Sequence, residues 1–169
     1  MNLKPFLISI LMLASAPAAQ ADIITAQGGG DFLGANDRWY SFRQRFDNQE
    51  NVCYSLVFHG DRRLPGVLIQ KDESGLVFAF AAKFRPKKGT KLRMETADGP
   101  IEIVYGGETK VKLIYPNDEK SNTALVKHLL STEKKSNRSF KVTLSTGQIY
   151  HFSTRGLSKA IKLMNRKCK

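Results

Sequence analysis

From Trp39 onward, apolar and polar positions change over in short runs rich in β-branched and aromatic residues, with turn residues between them about every eight to twelve positions. Strands are expected over residues 39–46, 53–58, 66–70, 76–82, 91–96, 101–105, 110–115, 140–144 and 149–153. This rhythm predicts a mainly β chain folded as an antiparallel sandwich or a barrel-like domain. The breaks carry turn chemistry, as in Pro86-Lys87-Lys88-Gly89, Asp98-Gly99 and Ser145-Thr146-Gly147, where glycine supplies the positive φ of a tight reversal. Lys91-Leu92-Arg93-Met94 and Lys110-Val111-Lys112-Leu113 alternate cation and apolar residue, the pattern of a strand with one face in the core and one in water. Residues 76–82, by contrast, are apolar on both faces and belong at the centre of the sheet packing.

Two segments follow the helical period instead. Residues 122–130 place Leu125, Val126, Leu129 and Leu130 on one side behind an N-cap candidate, Asn122, and predict a short helix. Leu157, Ala160, Ile161 and Met164 fall at i, i+3, i+4 and i+7 and define the apolar stripe of a C-terminal amphipathic helix, with Lys159, Lys162 and Arg166 off the stripe. Residues 22–36 show neither period and contain Gly28-Gly29-Gly30, so they read as a flexible arm ahead of one domain over 37–169.

The first 21 residues have the order of a cleaved secretion signal: a lone cation at Lys4, an apolar run from Pro5 to Ala16, and Ala19-Gln20-Ala21 as the processing site. The run is too short and too interrupted for a membrane anchor, and no later stretch reaches spanning length. Beyond the signal, the chain has a length common for one domain. Export leads to an oxidising compartment, where the pair Cys53 and Cys168 is expected as one disulfide pinning the terminal helix; two free thiols or an intermolecular bridge are the competing readings.

Charge changes the picture most. The chain holds 27 Lys+Arg against 15 Asp+Glu, a formal +12 that falls by one if Lys4 leaves with the signal. Such a balance attracts polyanions at a distance, although it also simply keeps a protein soluble. Lys83, Arg85, Lys87, Lys88, Lys91 and Arg93 crowd around an expected hairpin and are the anion-binding candidates; Lys134, Lys135, Arg138 and Lys141 form a second group. Aromatic residues nearby, Phe78, Phe80 and Phe84, sit in an apolar strand and read as core rather than base-stacking platforms, so no nucleic-acid partner is expected. His59, His128 and His151 have no ligand spacing, no Gly-x-Ser-x-Gly elbow occurs, and no carboxylate pair stands out, so neither a cofactor, a metal nor catalysis is expected.

Asp37-Arg38-Trp39-Tyr40 followed by Asn51-Val52-Cys53-Tyr54-Ser55 resembles the segment of the invasion-associated locus B family in which an Asp-Trp strand precedes a Cys-Tyr strand. The likeness continues through Lys87-Lys88-Gly89-Thr90 and Thr123-Ala124-Leu125-Val126-Lys127. It closes with Phe152-Ser153-Thr154-Arg155-Gly156-Leu157-Ser158-Lys159-Ala160 and the final Cys168. Arg38 departs from the Gly-Asp-Trp form, and residues 58–65 lack the usual proline-rich insert. The resemblance implies a periplasmic or surface-exposed β-rich protein, in some members linked to entry into host cells, with no catalytic residues. The expected function is therefore a non-enzymatic envelope binding module for an anionic glycan, lipopolysaccharide or an envelope protein. The alternative is a periplasmic inhibitor or chaperone-like partner that inserts the loop 58–65 into another protein's cleft.

Overall fold

The computed structural model describes residues 31–45, 51–60, 63–72, 75–83, 86–96, 99–105 and 113–168. The expected leader, the stretch 22–30 of the expected arm, Arg85, and residues 110–112 of an expected strand lie outside the described residues. Among the described residues, ten strands and two helices follow in the order β1 (Asp31–Asn36), β2 (Trp39–Arg45), β3 (Asn51–His59), β4 (Arg63–Asp72), β5 (Gly75–Ala81), β6 (Lys91–Thr96), β7 (Gly99–Val104), β8 (Leu113–Ile114), α1 (Glu119–Glu133), β9 (Ser139–Leu144), β10 (Ile149–Ser153) and α2 (Leu157–Lys167). They form two antiparallel sheets, one of six strands in the order β1-β2-β3-β4-β5-β8 and one of four in the order β10-β9-β6-β7. The sandwich-like, mainly β architecture expected from the strand rhythm is present.

The core lies between the sheets and under the helices. Trp39, Val57, Val67, Ile69, Phe78 and Phe80 of the larger sheet meet Leu92, Met94, Ile103, Val142 and Phe152 of the smaller one. Alternation explains the division: in β6 the exposed Lys91, Arg93 and Glu95 flank the buried Leu92 and Met94. β5 is apolar on both sides because both sides are covered, Phe78 and Phe80 in the inter-sheet cluster, Ala79 and Ala81 in a second cluster with Phe42, Tyr54, Leu56, Leu68 and Leu113. Polar ties join the sheets. The indole Nε1 of Trp39 donates to the Ser153 carbonyl at 3.1 Å, and the His151 amide donates to Nδ1 of His59 at 3.2 Å.

The terminal helix buries the stripe read from the sequence, Leu157, Ala160, Ile161 and Met164, against the core. Burying each large member of that stripe is worth about 1.5–3 kcal/mol. The disulfide Cys53–Cys168 holds its end, with Cα atoms 6.3 Å apart across a sequence separation of 115. Gly156 opens the helix at φ +86, and a Cβ there would stand 2.1 Å from the Asn36 carbonyl oxygen, so the helix entry seats on the β1–β2 turn only because the residue has no side chain. In place of a side-chain cap from Gly156, Glu133 at the end of α1 accepts from the Ser158 amide at 2.9 Å and from its hydroxyl.

Three expectations need correction. The part of the arm over 31–36 is strand β1, paired with β2 through Phe32 against Phe42 and Asn36 against Trp39. The first helix begins earlier than Asn122 and is capped by Asp118, whose carboxylate accepts from the Ser121 amide at 2.7 Å; those contacts hold the Asp118 carboxyl below its usual range. No hairpin joins residues 83 and 91: β5 pairs with β4 and β8, whereas β6 pairs with β7 and β9, so the segment between them crosses from one sheet to the other.

Candidate anion-binding site

The crossover separates the five described members of the cation group read from the sequence, Arg85 lying outside the described residues. Lys83, Lys87 and Lys88 are exposed on the crossover, and Lys91 and Arg93 stand on the outer face of the smaller sheet. The end of the crossover is held by a turn. Thr90 donates to the Lys87 carbonyl through its amide at 3.0 Å and its hydroxyl at 2.7 Å, while Gly89 donates to Tyr105 at 2.8 Å. On the sheet face, Lys91 lies 3.5 Å from Glu102, and Nε of Arg93 donates to Glu95 at 2.7 Å. The Glu95 bond and charge raise the Arg93 pKa further, and Glu102 sits opposite Arg93 in the β6–β7 register. Both pairs are exposed, so each contributes little to stability; their consequence is that carboxylates offset this half of the cationic face.

The other half is built differently. Ser139 of β9 faces Ser153 of β10, and Lys141 faces His151. The pairing extends one step past the strand ends, where the Thr154 amide donates to the Arg138 carbonyl at 2.8 Å. Two arginines remote in sequence, Arg138 and Arg155, therefore flank the same end of one two-stranded ribbon. With His151, Ser136, Ser139 and Ser153 they line an open cleft of about 550 Å³ that contains no acidic residue among its described lining. The Ser153 hydroxyl accepts from the Arg155 amide at 3.2 Å, and the Ser139 hydroxyl donates to the Asn137 side-chain carbonyl at 2.6 Å, which fixes the polar floor. The nearest carboxylate along the chain, Glu133, is half-buried and already accepts two bonds from Ser158.

Exposed Lys134 and Lys135 lead into this cleft from α1. The second basic group of the sequence thus gains Arg155 and His151, which sequence spacing did not connect to it. The available signal was the pairing of residues 139–144 with 149–153, since an antiparallel ribbon brings the residues just outside its two ends together. Chemically, guanidinium forks and hydroxyl donors suit a sulfate, phosphate or carboxylate.

Among the described residues, no group of three or more His, Cys, Asp and Glu side chains could hold a metal ion, and no helix is long and apolar enough to cross a membrane. Of the loop expected over 58–65, Phe58 and His59 belong to β3, paired with Gly66 and Arg63 of β4, and Asp61 and Arg62 lie outside the described residues. Compared with protein families, with curated proteins and with solved structures, the chain finds no match in any of the three.

Proposed function

We propose that this chain is an exported, non-enzymatic envelope protein that binds anionic groups of a glycan or lipid through the cleft between Arg138 and Arg155. The observation that carries the reading is the contrast between two halves of one sheet face: Lys91 and Arg93 are paired with Glu102 and Glu95, whereas the cleft gathers Arg138, Arg155 and His151 without a carboxylate in its described lining. The cystine between buried Cys53 and half-buried Cys168 supports a periplasmic or extracellular setting, where paired thiols persist. The same reading takes residues 1–21 as a removed signal and the chain as a distant relative of the invasion-associated locus B family, on the likeness at Asp37–Tyr40, Asn51–Ser55 and Phe152–Ala160.

Affinity chromatography on immobilised heparin and lipopolysaccharide across a salt series tests the proposal. Arg138→Glu with Arg155→Glu should elute at markedly lower salt than the parent, and Lys87→Glu with Lys88→Glu should shift elution much less. Equal shifts for the two double variants would mean that net charge, not the cleft, governs retention.

A further inference from the structure

Beside α1 lies a second concave site, chemically unlike the cleft. Among the described residues, β8 is two residues long and pairs with Phe80 and Ala81 of β5, and no described strand covers the earlier part of that edge. Helix α1 comes against that part through Asn122, whose side chain bonds to the backbone of Leu76 and Phe78. Along this seam runs a groove of about 710 Å³, walled mainly by Leu76, Val77, Tyr115, Pro116, Val126 and Leu130. Its size and its apolar walls with few polar groups are those of a small-molecule site.

The charges at the groove are ordered along the helix. Asp118 and Glu119 stand at the first turn, and exposed Lys127 and Lys134 stand two turns apart towards the other end. Asp118 already occupies the positive helix N-terminus by accepting from Ser121, so an incoming anion is repelled there and drawn to the lysine end. A sugar would leave hydroxyls unpaired against Leu76, Val126 and Leu130, at a desolvation cost.

We propose that the seam groove between α1 and β5 binds a single-chain anionic amphiphile, its acyl chain along Leu76, Val126 and Leu130 and its headgroup at Lys127 and Lys134. The site shares no residue with the Arg138–Arg155 cleft and stands or falls separately from it.

Titration calorimetry of the secreted protein with decanoate and with decanol, at low salt, tests this. Decanoate should bind about tenfold more tightly than decanol. Lys127→Glu with Lys134→Glu should abolish that advantage and leave decanol binding unchanged, Val126→Trp should block both ligands, and Arg138→Glu with Arg155→Glu should leave decanoate binding as it was. Equal affinity for the two ligands, undiminished binding by Val126→Trp, or no binding of decanoate overturns the proposal. In the unmodified protein, decanoate should move the methyl NMR signals of Leu76, Val126 and Leu130; shifts confined to other methyl groups contradict it as well.

Discussion

The side chain of Asn122 does for Leu76 and Phe78 what a neighbouring strand does elsewhere in the sheet: its Oδ1 accepts from the Phe78 amide at 2.8 Å and its Nδ2 donates to the Leu76 carbonyl at 2.8 Å. Those two backbone groups belong to the part of β5 that β8 does not reach. A helix is thereby fixed to a sheet edge by one residue with both a donor and an acceptor.

Replacing that residue should therefore cost more than an ordinary half-buried polar position. Asn122→Leu leaves the Phe78 amide and the Leu76 carbonyl without their partner, for which about 1–3 kcal/mol is expected. Urea unfolding of parent and variant measures it, and Asn122→Asp, which keeps the acceptor for Phe78 but lacks the donor for Leu76, should fall between them.

Gly156→Ala should destabilise the protein by more than about 2 kcal/mol, because the new methyl group overlaps the Asn36 carbonyl and the residue sits at φ +86. Thermal unfolding monitored by circular dichroism gives the value. Gly147→Ala, at φ +87 with open space around its Cβ position, supplies the comparison that separates backbone strain from overlap.

Cys168→Ser should cost about 2–5 kcal/mol, since the bridge closes a loop of 115 positions in the unfolded chain. Denaturation with and without reductant checks this: the parent should lose stability on reduction, and the variant should be indifferent to it.

Burial pushes the Tyr115 phenol up to about 12 and the Tyr54 phenol further still. A phenol whose folded pKa exceeds its unfolded value near 10 adds stability that is fully present below pH 10 and is lost as the pH rises through about 12. Alkaline titration followed at the tyrosinate absorbance should show these residues ionising late, together with loss of structure, and Tyr115→Phe should weaken the fall in stability over that interval. Asp118 has the opposite sign: its lowered pKa contributes stability above the ordinary carboxylate range that disappears as acid protonates it.

Local pattern carried those parts of the fold that depend on a residue and its near neighbours. The Lys91–Met94 alternation and the Leu157–Met164 stripe each report which face is buried, and both faces of Val77–Ala81 are apolar because both are covered. What remained illegible depends on pairing at a distance. Pro86 and Gly89 suit a hairpin and a sheet-to-sheet crossover equally well, and only the partners of β5 and β6 distinguish them. β1 has a glycine at a register shift, between Phe32 and Gly34, which weakens the alternation that marks a strand. Asn122 has the chemistry of a cap, but Asp118 supplies that cap one turn earlier and leaves Asn122 for the sheet. Arg138 and Arg155 line one cleft because Ser139 pairs with Ser153, a fact of register that no spacing rule contains.

The anion cleft is tested most directly by titrating the labelled protein with a heparin-derived oligosaccharide and following backbone amide signals. The account predicts that Ser139, His151, Ser153 and Arg155 shift in proportion to occupancy while Lys87, Lys88 and Lys91 stay in place. Movement of Lys87, Lys88 and Lys91 with the β9–β10 ribbon unchanged would contradict it.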